Sequence, residues 1–247
     1  MPSALPTLLT SLALAALVEH RIAPDHAVSL FADSEEPVPF ALADPALGGQ
    51  PRGLLLWAAD ARAAGIDGFR CQLVHPSLPY AVPRVDRALA RPIARAGAVI
   101  VAEAAGTARA VLVLDDEGGF TAADCAPVPY APLFSASAAE AVRELRQTVM
   151  EGLGTVERLG RRAPEAVRGL AWRDWQADMG GPGLRDELSA LLPDPAQAMP
   201  LHAALDIHDA LSPILAPATL EPPELGHLLA RLHPAAADVV ATITRGP

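Results

Sequence analysis

The sequence predicts an α+β protein: a small α/β half over residues 1–134, with helices and about three to four strands, followed by an all-helical half over 135–247. Three observations carry this expectation. The run Phe69–Val74 is bounded by turn residues and follows a helical segment, which reads as a strand after a tight turn. Two apolar runs, Ala98–Ala102 and Arg109–Leu114, flank the turn at Gly106-Thr107 and read as a hairpin. From Ser135 onward the hydrophobic period is helical, broken only by Gly and Pro clusters.

The elements follow in order. Leu5, Leu8, Leu9, Leu12 and Ala16 fall at helical spacing with Thr7, Thr10 and Ser11 between them, the pattern of an amphipathic first helix. Leu8–Val18 has the length of a signal-peptide hydrophobic region, but no basic residues precede it, and Glu19, His20 and Arg21 follow where small residues belong. Gly53 leads into the helical run Leu54–Ala64, which Gly65 stops. After the 69–74 strand, Pro76, Pro79 and Pro83 stiffen a loop, and a helical stretch is expected at about 84–96. Ala126–Phe134 is the Pro-rich link. The helices beyond it are expected at Ala138–Leu159, Pro164–Met179, Leu184–Leu192, Leu201–Leu215 and Pro222–Leu232, with a final apolar stretch to Ile243. No stretch approaches the roughly 18 apolar residues that span a bilayer.

Composition sharpens what chemistry is open. All 19 basic residues are Arg, and about one residue in five is Ala. A chain without lysine cannot form a Schiff base, supply a Walker A ammonium or use a lysine base, and Arg does not deprotonate to replace it. Net charge is −10, which argues against a nucleic-acid-binding domain. The charge is uneven, however. Residues 1–50 carry one Arg against six acids, 51–110 carry eight Arg against four, and the tail from 186 carries two Arg against eight. A basic middle lies between acidic ends. Cys71 and Cys125 are too few for a disulfide framework and read as two buried thiols in a reducing cytosol.

Across most of its length the chain resembles a group of uncharacterised Ala- and Arg-rich proteins of GC-rich bacteria. The similarity rests on the helix entering at Gly53, Ala63-Ala64-Gly65-Ile66 before the strand, the proline-spaced loop after it, Arg95-Ala96-Gly97, and Glu144-Leu145-Arg146 in the helical half. It implies an ordered, recurrent fold and no particular chemistry.

Three clusters are candidates for function. His75, Tyr80, Arg84 and Arg87 follow the 69–74 strand, where an anion would meet two guanidiniums and a helix start. Arg84, Arg87, Arg91 and Arg95 recur at steps of three, four and four, a stripe opposite Val85, Leu89 and Ile93 if the helix runs unbroken through Pro92. His202, Asp206 and Asp209 share one helical face and, given a further ligand, could hold a divalent cation. His208 faces the other side, with Leu201, Leu205 and Leu215. Trp172 and Trp175, one turn apart beside Arg168 and Arg173, read as interhelical packing or an interface anchor. Asp115-Asp116-Glu117 is ordinary turn chemistry.

No Walker A, dinucleotide fingerprint, G-x-S-x-G or H-E-x-x-H motif occurs. The leading expectation is a cytoplasmic, non-catalytic protein that works through a protein partner or self-association, with no cofactor and no membrane contact. The alternatives are a small-anion or phosphate binder or enzyme using the loop after the strand, and nucleic-acid association through the arginine stripe.

Overall fold

The structure, a computed structural model, describes residues 4–27, 41–43, 51–75, 82–114, 119–125, 137–178, 186–214 and 220–245. It is a mixed α+β fold. One compact unit comprises Met1–Leu133, Ala190–Pro193 and Thr244–Pro247; the second comprises Phe134–Ser189 and Asp194–Ile243. The expected link Ala126–Phe134 and the turn Asp115-Asp116-Glu117 lie outside the described residues.

The first unit is built on a sheet of six strands: β1 (Ala41–Ala43), β2 (Pro51–Gly53), β3 (Gly68–Leu73), β4 (Ala98–Ala104), β5 (Thr107–Leu114) and β6 (Phe120–Asp124). Their spatial order is β2-β1-β6-β5-β4-β3. β3 to β6 form an antiparallel meander, and the short β1 adds a single parallel pairing to β6. The β4–β5 hairpin turns on Ala105 (φ 49°) and Gly106 (φ 70°). Positive φ at both central residues matches the right-handed twist of the strands it joins. The Asp67 carboxylate holds this turn by accepting the Ala105 N–H at 2.9 and 3.1 Å.

Strand alternation sends two apolar sets to opposite faces. Phe69, Ile100, Ala102, Leu112, Phe120 and Ala122 meet Leu14 and Ala15 of α1 (Leu5–Val18) and Leu54, Trp57, Ala58 and Ala61 of α2 (Leu54–Ala63). Val99, Val101, Val111 and Val113 meet Ile93 and Ala96 of α3 (Ala90–Ala96) on the other face. Each Val, Leu or Ile side chain among them contributes about 1.5–3 kcal/mol when fully buried.

Two expectations need correction in this unit. α1 is not amphipathic in the fold, because Thr7, Thr10 and Ser11 are buried with its leucines. Of these three hydroxyls, that of Thr10 offsets its desolvation locally by donating to the Pro6 carbonyl at 2.8 Å. The stretch 84–96 is not one helix: a 3₁₀ turn at Arg87–Leu89 precedes α3. Pro92 therefore sits in the first turn of α3, where its missing N–H would have had no helical acceptor anyway.

The second unit is helical, with α4 (Ala138–Leu159), α5 (Glu165–Arg168), α6 (Trp172–Asp178), α7 (Asp186–Leu191), α8 (Ala198–Leu211) and α9 (Pro223–Thr244); α7 and α9 end in residues that belong to the first unit. The Ser137 hydroxyl caps α4 by accepting the Glu140 N–H. Pro164–Met179 does not form one helix, since α5 ends at Gly169. Conversely, α9 continues through Pro234 and absorbs the final apolar stretch.

Candidate functional site

Past the end of β3, the Val74 N–H donates to the Gly97 carbonyl, and His75 is then buried at 4% exposure. Desolvation lowers the His75 pKa, which favours the neutral ring. Because β3 is the edge of an antiparallel meander, the strand-end crevice of a parallel sheet does not arise beside it. Tyr80, expected beside His75, lies outside the described residues.

From Val82 the chain forms a strap across the sheet. Val82, Val85 and Leu89 pack on the valine face together with Ile93. The Asp86 carboxylate accepts the Ala88 N–H at 2.7 Å and so starts the 3₁₀ turn. With the apolar positions turned inward, Arg84, Arg87, Arg91 and Arg95 are all exposed. They do not form a helical stripe, because Arg84 precedes the 3₁₀ turn, Arg87 opens it, and only Arg91 and Arg95 belong to α3. The outward presentation is the same although the geometry differs.

Some arginines elsewhere meet carboxylates, while others, Arg62, Arg146, Arg161 and Arg162 among them, are exposed. Arg231 bridges Glu151 at 2.8 Å and Glu144 at 3.6 Å, Arg173 meets Glu157 at 2.9 Å, and buried Arg70 meets Glu103 at 3.1 Å. Among the described residues, no carboxylate forms an ion pair with Arg84, Arg87 or Arg91. Three arginines within eight residues are thus presented outward in a chain with 29 carboxylates.

The other candidates resolve differently. Trp172 and Trp175 are both buried at 3% exposure and pack edge to face, with ring centroids 5.4 Å apart. The Trp172 Nε1–H donates to the Val167 carbonyl at 3.0 Å, and its ring lies against Gly152 of α4. Of the two roles expected for the tryptophans, this is packing within the helical unit. His202 Nδ1 lies 3.5 Å from Asp206 Oδ2, and Asp209 is exposed. Among the described residues, no three metal-ligating side chains gather in one place. Burial pushes the Cys71 thiol up to about 12 and raises Cys125 as well, so neither thiolate forms readily.

Two buried polar pairs escaped the sequence reading. Arg70 and Glu103 come from adjacent strands, and alternation would assign Arg70 to a solvent face. His208 and His233 meet between α8 and α9, with Nδ1 of the first 2.7 Å from Nε2 of the second. The apolar side on which His208 falls was a signal of its burial, but nothing in the sequence names His233, 25 residues away, as its partner.

No protein-family model, no curated protein and no solved structure matches this chain. Among the described residues, no helix is long and apolar enough to cross a membrane.

Proposed function

We propose that this chain is a non-catalytic protein-interaction subunit that engages an acidic surface of a protein partner through Arg84, Arg87 and Arg91. The observation that carries the reading is the outward presentation of these three guanidiniums with no ion pair to a carboxylate among the described residues. An arginine fork matches a carboxylate bidentately, and a preformed cluster raises the encounter rate with an acidic surface. The strap holds them on a packed base, since Val82, Val85, Leu89 and Ile93 fix its inner side. Such a cluster binds at low ionic strength and weakens as the Debye length shrinks to about 8 Å near physiological salt.

The test compares wild type with Arg84→Ser/Arg87→Ser/Arg91→Ser by cross-linking in native extract, alongside light scattering of the purified chain. The reading expects a partner, or a second copy, that joins wild type at low salt and is lost from the triple variant while its melting transition is unchanged. Identical cross-links in both proteins, or none above background, would remove it. Titration with duplex DNA and with inorganic phosphate separates the other anions: arginine-dependent binding of either, without a protein partner, favours the anion-binding reading instead.

A further inference from the structure

His208 of α8 and His233 of α9 are buried at 1% and 2% exposure, and their rings lie within 13° of parallel with centroids 4.9 Å apart. A 2.7 Å contact between His208 Nδ1 and His233 Nε2 holds one proton, donated by one ring and accepted by the other. If both rings became imidazolium, two N–H groups would point at each other across that distance. The folded pair therefore accepts at most one proton beyond its neutral state, whereas in the unfolded chain both histidines take one up near pH 6.5.

We propose that this pair is an acid-sensitive lock between α8 and α9, which loosens the helical unit as pH falls below about 6.5. The sign follows from proton counting. Once pH is well below about 6.5 the unfolded state binds two protons and the folded pair at most one, so stability falls as pH falls, approaching at least tenfold in the folding equilibrium per pH unit at the acid end. The other charged and titratable groups on these elements are His202, Asp206 and Asp209 on α8, Glu224, His227, Arg231 and Asp238 on α9, and Arg173, Asp174 and Asp178 on α6. They can shift the first protonation, but the second is blocked by the nitrogen-to-nitrogen contact itself.

The test follows urea unfolding of the full chain by Trp172 and Trp175 fluorescence in a Trp57→Phe background, at a series of pH values from 7.5 to about 5. Wild type is expected to lose stability about tenfold more steeply per pH unit than His208→Gln or His233→Gln, each of which removes one titrating ring and the mutual block. Equal slopes in wild type and both variants would overturn the lock. Should either variant fail to fold, histidine ring NMR of the wild type decides. Uptake of no more than one proton by the two rings before the unit opens supports the proposal, and independent protonation of both rings in the folded state overturns it.

Discussion

The Thr244 hydroxyl closes the free edge of β3 at Cys71, accepting its N–H at 3.0 Å and facing its carbonyl at 3.4 Å. β3 is an edge strand, and an uncovered edge offers backbone groups to any passing strand. One hydroxyl serves both groups of a buried residue. Thr244→Val keeps the shape and removes the partner, so it should cost about 1–3 kcal/mol through the orphaned N–H. Thr244→Ser should recover most of the loss. Denaturant unfolding followed by Trp57 measures both, and indistinguishable midpoints for Thr244→Val and wild type would contradict this role.

Gly152 inverts the usual helix rule. In a helix interior, Gly→Ala ordinarily adds up to about 1 kcal/mol of stability. At Gly152 a Cβ would come within 2.0 Å of the Trp172 ring, which has no slack because its Nε1–H is bonded to Val167 and its face is packed on Trp175. Gly152→Ala should therefore destabilise the helical unit by about 1–3 kcal/mol, the usual scale of overpacking. It should also shift the emission of Trp172 and Trp175. Compensation by Trp172→Phe in the double variant would locate the clash in that pair.

Arg70 and Glu103 form a buried ion pair across β3 and β4, with Arg245 a further 3.9 Å from the other Glu103 oxygen. Removing one partner strands a charge in a low-dielectric interior. Arg70→Met or Glu103→Leu alone should cost about 3–5 kcal/mol, whereas the double replacement should fall close to wild type. A thermodynamic cycle on the purified chain checks this, and additive losses would show that the two charges do not depend on each other.

How much of this was legible follows from the range of each interaction. Gly65, Gly97 and Ser137 end or begin helices through local backbone preference and hydrogen bonding, and the β4–β5 hairpin is set by its own two-residue turn. The inward set of the strap was legible too, because Val85, Leu89 and Ile93 differ in chemistry from the arginines between them. The helix assumed beneath that stripe was not, since Asp86 diverts the backbone into a 3₁₀ turn through a side-chain cap. The burial of α1 on every side, of Arg70 in a strand, and of His208 against His233 depends on residues far away in sequence. Local periodicity carries no information about them.

His75 gives the first unit its own pH response, with the sign set by burial. Desolvation holds its folded pKa below the ordinary histidine value, so the ring is neutral in the fold. Above about pH 6.5 it is neutral in both states, and the stability tied to it is fully present. As pH falls through that value, the unfolded chain takes a proton that the fold accepts only at lower pH, and stability declines until the folded pKa is passed. His75→Gln should flatten this acid limb while leaving stability near pH 7.5 less affected. Trp57 packs at 6.0 Å from Phe69 inside the first unit and reports its unfolding, whereas Trp172 and Trp175 report the helical unit. Single-tryptophan backgrounds therefore separate the two responses: His75→Gln should alter the pH slope seen by Trp57 and leave that of the helical unit unchanged. An unchanged Trp57 slope would mean that His75 titrates alike in the folded and unfolded chain.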